Sequence, residues 1–489
     1  MAHPSVLQTS CYLEGDFVRG DSAPVVVTDP SRDVLLAEVP GVSAELTRRA
    51  AESNAQGAKA MRALPLLTRV ELVRRLGAAL RAQSEALARL LTLESGKPIV
   101  ESRGEVEYAA SFFDHAASAA ELAAGEIPAS RVADRRVLVL REPVGATVAI
   151  TPWNFPLAMI ARKLAPALAA GCSQVLKPAE QTPLTALAFA EIFAKEAAAC
   201  GAPRNAVSVV VGDAPLIARV LLEHPSTRKL TFTGSTEVGR ILAGQCAARL
   251  IRPALELGGN APFLVFADAD LDRAVEQAML TKFRFMGQTC ISANRFLLAE
   301  SIQEEFLRRL ESRMRLLTVG DPMEEATRVG PLINDAGLAK VQRHVAQAVD
   351  HGARVRLGGG IVAMTGLSRR FFAPTILDGC APSMQCACEE TFGPVVAAMS
   401  FQTEEAALLM ANATPSGLAA YVMTQDIDRL MRVAEALDCG VVGANDGAPS
   451  TAEAPFGGRK DSGFGREGGH HGLDAYTELK YVSLRLRAK

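Results

Sequence analysis

The sequence predicts an α/β protein with mainly parallel sheets arranged in two lobes. Between residue 143 and about residue 257, short β-branched runs alternate with amphipathic helical segments, as βαβ units do. A second alternating series begins at PFLVF (262–266) and runs to about residue 445. The two series meet at Gly258-Gly259, where the backbone is free to turn.

Taken in order, the Ala-rich run LTRVELVRRLGAALRAQSEALARLL (67–91) carries helical periodicity. In the first series, VGATVAIT (144–151) reads as a strand and LAMIARKLAPALAAG (157–171) as a helix. SQVLKP, NAVSVVVG, KLTFTG and RPALELGG read as further strands. The helices between them are TPLTALAFAEIFAKEAA, PLIARVLL and STEVGRILAGQCA. In the second series, RFLLA, VVAAMSF and LAAYVM follow PFLVF as strands. Two runs, RRVLVLRE (135–142) and AYTELKYVSLRLR (475–487), fit neither series. They read as β-strands outside the main sheets, with edges open to another subunit.

The chain has 489 residues, 49% of them hydrophobic, and a formal net charge of −2. This length suits two or three domains, and this charge speaks against nucleic-acid and membrane-surface partners. The N-terminus lacks the basic and apolar regions of a secretory signal, and no apolar run is long enough to span a bilayer. The nine cysteines are Cys11, Cys172, Cys200, Cys246, Cys290, Cys380, Cys386, Cys388 and Cys439. They are odd in number, scattered and without a Cys-x-x-Cys pair. That argues against a disulfide framework and a zinc site, and fits a reducing cytoplasm.

Among these thiols Cys290 stands out, because it follows the tripeptide Gly-Gln-Thr between a helical run and an apolar strand. A thiol there is either a nucleophile, its pKa lowered by nearby donors, or a buried structural cysteine. Glu256 ends an apolar strand in LELGGN, either as a general base on water or as an ordinary strand-end carboxylate. Asn154 sits between two prolines in TPWNFP, beside the only tryptophan, Trp153. A stiffly held amide can donate to an oxyanion, and a turn asparagine is the alternative. In LKPAEQTP, Lys177 and Glu180 can hydrogen-bond a ribose, or Glu180 can simply favour a helix N-terminus. In TFTGSTEVG, Gly234 and Ser235 open a helix whose free N–H groups suit a pyrophosphate.

Taken together and in order, PWNFP, KPAEQTP, FTGSTEVG, ELGGN, GQTC, ETFGPV and PFGGRKDSGFGREGG resemble the aldehyde dehydrogenase superfamily from about residue 12 to 485. The chain is most similar to its succinate-semialdehyde dehydrogenases. The resemblance implies a Rossmann-like NAD-binding domain (1–124 and 145–257), a catalytic domain (258–455) and a β oligomerisation arm (125–144 and 470–489). It implies Cys290 as nucleophile, Glu256 as general base, and Asn154 with the Cys290 N–H as oxyanion hole. Cofactor contacts are implied at Thr151, Pro152, Trp153, Lys177, Glu180, Gly212, Gly234, Ser235, Leu257, Glu390 and Phe392. The expected cofactor is NAD, with NADP possible, because Glu180 repels a 2′-phosphate. No metal is expected, and a homodimer or homotetramer is. Ser292 stands where some relatives carry a second cysteine, so no redox switch is expected within this loop.

The resemblance also implies that Arg162, Arg284 and Ser450 hold a remote anionic group on the substrate. Guanidinium forks suit carboxylate, sulfonate and phosphonate alike. The expected reaction is oxidation of succinate semialdehyde to succinate through a thiohemiacetal and a thioester. Glutarate semialdehyde, a sulfo- or phosphono-aldehyde, and an uncharged aldehyde are the alternatives. A CoA-acylating enzyme and a non-catalytic nucleotide-binding relative are the other readings. Ala448 and Pro449, before Ser450, and Phe285 and Met286, before Cys290, are expected to influence pocket size.

Overall fold

The computed structural model describes residues 7–487, so positions 1–6 and 488–489 of the expected first domain and arm lie outside the described residues. The first sheet has eight strands. Its parallel core runs Val207–Val209, Ser173–Lys177, Ala146–Ile150, Thr227–Thr233, Arg252–Glu256 across the sheet. Cys11–Leu13, itself paired with Asp16–Val18, adds antiparallel strands on one side, and Gly463–Phe464 adds one on the other. The chain lays down Ala146–Ile150 first, winds one way through Ser173–Lys177 and Val207–Val209, then crosses back to Thr227–Thr233. The order therefore reverses between Ala146–Ile150 and Thr227–Thr233, the crevice where open α/β sheets bind ligands.

The second sheet has seven strands, six parallel and one antiparallel at its edge. Ala261–Val265 and Ala293–Ala299 are paired at its centre. Gly258-Gly259 carries the chain from the end of Arg252–Glu256 to the start of Ala261–Val265. The C-terminal ends of the first sheet thus face the N-terminal ends of the second. The two orphan runs form the ribbon Arg135–Pro143 with Thr477–Arg485, antiparallel and in register from end to end.

All the expected strands and helices of the two series are present. The helical run 67–91 divides into Leu66–Ala82 and Ser84–Ser95 at Gln83. Sequence reading missed the hairpin Ser22–Asp29 with Val34–Gly41, and the return of residues 463–464 to the first sheet. Among the described residues, no helix is long and apolar enough to cross a membrane.

Two helices, one of them wholly buried, fix the frame of the crevice. Helix Ala158–Ala170 has every residue buried, Arg162 and Lys163 included. Its first turn leaves backbone N–H groups without helical partners. Glu105, on helix Ile99–Leu122, accepts two donors there, from Leu157 (3.0 Å) and Ala158 (3.1 Å). The Lys97 ammonium pairs with Glu105 and also donates to the Asn154 carbonyl at 2.9 Å. Glu105→Ala strands the Lys97 charge and those two N–H groups in the interior. It is expected to cost about 3–5 kcal/mol, read as a lower urea midpoint, with Glu105→Gln recovering part of the loss.

Candidate active site

A cavity of about 390 Å³ opens where the two sheets face one another. It brings together Asn154, Glu256 and Cys290, the cofactor candidates Pro152, Trp153, Gly234, Ser235, Leu257, Glu390 and Phe392, and the substrate candidates Arg162, Arg284 and Ser450. Thr151, Lys177, Glu180 and Gly212 do not line it. They sit at neighbouring strand ends on one side of the crevice, where the Thr151 N–H donates to the Lys177 carbonyl at 3.1 Å.

Cys290 lies between helix Leu271–Phe283 and strand Ala293–Ala299, as the sequence suggests. The approach to it is a left-handed turn, with φ of 46° at Phe285, 53° at Met286 and 76° at Gly287. Glycine is required at 287, because a Cβ there would meet the Gly393 carbonyl oxygen at 2.4 Å. Asn154 Nδ2 donates to the Gln288 carbonyl at 2.9 Å, which ties the amide to the same loop and leaves its second N–H for a ligand. The expected lowered thiol pKa is not found. Burial, then the nearby Glu390 charge, pushes the Cys290 thiol up to about 12, against the opposing pull of Arg162. The resting nucleophile is therefore a neutral thiol that needs a base.

Glu256 is buried at the end of its strand, and neither carboxylate oxygen has a hydrogen-bond partner among the described residues. Its pKa stands well above the usual carboxylate range, chiefly through desolvation and then through the Glu467 charge, with Arg162 and Lys163 opposing. Sequence reading assigned Glu467 no role, although it lies in the quoted GREGG stretch. The Glu467 carboxylate accepts from Lys163 Nζ and from Thr231 Oγ1 (3.3 Å), and stands 3.1 Å from Arg162 Nε. These cations hold Glu467 ionised, with its pKa lowered. Two carboxyl groups with opposite proton affinities thus share one site.

Arg162 is neither on a solvated helix face nor free. It is buried, ion-paired to Glu467, and stacked on Phe456 at 4.0 Å from the ring centroid. Arg284 is different. Its guanidinium lies over Phe155 (4.7 Å) and Tyr108 (5.4 Å), with no carboxylate in ion-pair range among the described residues. Tyr108 OH and Ser450 Oγ share a 2.6 Å hydrogen bond beside it. Tyr108 was not foreseen, since a lone tyrosine on a helix gives no sequence signal. Phe285 and Met286 do not line the cavity but join an interior cluster with Val329. Ala448 and Pro449 do not line it either.

On the cofactor side, Ser235 caps helix Thr236–Ala247 by accepting the Val238 N–H, and it lines the cavity with Gly234 at that helix N-terminus. Glu390 accepts from the Gly259 N–H at 3.1 Å, and burial pushes its pKa up to about 7. Phe392, at φ 56°, packs edge-on against Trp153 with centroids 5.6 Å apart. Lys177 is ion-paired with Glu180, whose side chain is 41% exposed. A helix N-terminus at the cavity, an accessible carboxylate and a flanking aromatic pair fit a dinucleotide. Among the described residues no group of three or more His, Cys, Asp or Glu side chains is placed to hold a metal ion.

The thiol environment predicts a pH profile. Alkylation of Cys290 by iodoacetamide in the cofactor-free protein is expected to climb about tenfold per unit between about pH 6 and pH 9 without levelling. The sign follows from a pKa above that range, where the thiolate fraction keeps growing. Peptide mass spectrometry separates this site from the exposed Cys388, and a plateau near about pH 8 would contradict the burial effect.

Comparison with known proteins agrees with this geometry. Residues 17–482 match the aldehyde dehydrogenase family. The chain is 43% identical to the NADP(+) succinate-semialdehyde dehydrogenase GabD of Escherichia coli (strain K12), over 99% of each chain. It is 45% identical to a 3-sulfolactaldehyde dehydrogenase of Pseudomonas putida, over 98% of each. A crystal structure of succinate-semialdehyde dehydrogenase from Burkholderia pseudomallei superposes with a TM-score of 0.96 at 45% identity, covering 99% of this chain and 100% of that one. The chain belongs to the aldehyde dehydrogenase family, whose members are NAD(P)-dependent oxidoreductases.

Proposed function

We propose that the protein oxidises an aldehyde carrying a remote anionic group, most readily succinate semialdehyde to succinate, through a thiohemiacetal and a thioester on Cys290. The observation that carries the anionic part is Arg284, a guanidinium without a carboxylate partner among the described residues, which lines the same cavity as Cys290. The Tyr108 and Ser450 hydroxyls complete a seat for carboxylate or sulfonate oxygens. The similarity to a sulfolactaldehyde dehydrogenase favours a sulfonate aldehyde as the second reading.

In this mechanism the proton leaves the Cys290 sulfur for a base, and Glu256 has two unoccupied carboxylate oxygens for it. The sulfur adds to the aldehyde carbon. The oxyanion receives the free Asn154 amide N–H and the Cys290 backbone N–H. When bound, the nicotinamide supplies the hydride acceptor that leaves a thioester. Glu256 releases the first proton to solvent, then takes a proton from a water that attacks the thioester carbon, and returns it to the departing Cys290 sulfur. The acid departs, and Cys290 regains its thiol. Lys177 and Glu180 would hold the adenosine ribose, Ser235 the pyrophosphate region, and Glu390 and Phe392 the nicotinamide end.

We keep the division into an NAD-binding domain, a catalytic domain and an arm as part of this proposal, with a dimer or tetramer formed through the ribbon. The exposed Leu140, Leu479, Tyr481 and Leu484 on its two strands support it. Nine unpaired cysteines suit a reducing cytoplasm.

Steady-state NADH formation tests the reading. Cys290→Ser should reduce turnover to background. Arg284→Leu should raise KM for succinate semialdehyde about tenfold or more, the order of a lost charge-assisted contact, and leave an uncharged aldehyde of similar length nearly unchanged. Equal effects on both substrates would remove the anion clamp. Glu180→Ala should raise the NADP-to-NAD ratio of kcat/KM about tenfold, and an unaltered ratio would show that Glu180 does not select the cofactor.

A further inference from the structure

We infer that Glu101 is a positioning residue that ties the nucleophile to the anion-recognising arginine, an inference that rests on the aldehyde-oxidising reading above. Helix Ile99–Leu122 presents Glu101, Glu105, Tyr108 and Phe112 along one stripe, spaced three or four residues apart. Glu105 serves the Asn154 side through Lys97, Tyr108 meets Arg284 and Ser450, and Phe112 lies under Arg162. Glu101 meets the left-handed turn itself. Its Oε2 accepts the Phe285 N–H at 2.7 Å, and it does not line the cavity.

That single bond acts on a sensitive place. Arg284 stands immediately before the turn and Cys290 five residues after Phe285. Phe285 and Met286 hold left-handed backbone that side chains with a Cβ disfavour, so the turn persists only while its surroundings hold it. Phe285 is fully buried, so removing the carboxylate takes away the acceptor its N–H uses in the interior. The turn is continuous with the site, because the Gln288 N–H donates to the Phe285 carbonyl at 2.9 Å and the Gln288 carbonyl receives the Asn154 amide. Without the Glu101 acceptor, the peptide planes on both sides can rotate. One side carries Arg284 off its aromatic shelf, and the other carries Cys290 away from Asn154.

Three variants test this. In Glu101→Ala, kcat should fall about tenfold for charged and uncharged aldehydes alike, and KM should rise about tenfold for the charged one only. Glu101→Gln keeps an acceptor oxygen and should stay within about threefold of the parent on every parameter. Glu101→Asp keeps the charge but draws the acceptor back by one methylene, so it should be impaired; this pair decides the matter if the alanine variant fails to fold. An alanine variant with unaltered kcat, or a glutamine variant as impaired as alanine or aspartate, would overturn the assignment. The iodoacetamide rate at Cys290 in the cofactor-free protein is a separate readout. If the parent oxidises neither aldehyde, the functional reading fails. The positioning role then stands on a change of at least about threefold in that rate for Glu101→Ala with parent-like Glu101→Gln, and falls if the rate is unchanged.

Discussion

No side chain fits between Gly259 and Cys290. A Cβ at Gly259 would come 2.2 Å from the Cys290 carbonyl oxygen, far inside contact distance. This backbone-on-backbone approach is where the two sheets meet, and much of the site's geometry follows from it. It puts the end of Arg252–Glu256, which carries the unpaired carboxylate, beside the loop that carries the thiol. The Gly259 N–H is then free to hold Glu390, which brings the segment leading to Phe392 against the same opening. Glycine serves here for its missing side chain, not for an unusual backbone angle.

The electrostatics of the cavity divide along a similar line. Lys163 and Arg162 are spent on Glu467, and that fixed negative charge raises the proton affinity of Glu256 without touching it. Burial drives Cys290 and Glu256 in the same direction, towards their protonated and neutral forms. Of the two lining arginines, Arg284 has no carboxylate in ion-pair range among the described residues, and it sits on aromatic faces that take little of its hydrogen-bonding capacity.

Much of this was legible in the chain. The β-branched runs after residue 143 gave the parallel strands, because both faces of those strands are buried and period and length stand out. The glycines of LELGGN and GQTC marked close approach and a turn, and both are there. Other features were not legible, and the reasons are physical. The strands Cys11–Leu13 and Gly463–Phe464 are too short to show a period. Glu467 acts through neighbours more than two hundred residues away in sequence, and Tyr108 through Ser450 at a separation of 342. The raised thiol pKa arises from burial, which no motif encodes. Phe285 and Met286 look like pocket walls by proximity, yet left-handed backbone turns them into the interior.

The chain has a single tryptophan, and the fold spends it at the cavity wall. Trp153 stands edge-on to Phe285 on one side and to Phe392 on the other. Its near-ultraviolet emission therefore originates from one known place, between the nucleophile's turn and the segment that follows Glu390. The folded protein carries a built-in optical probe of its own reaction chamber, with no second indole elsewhere to blur the signal.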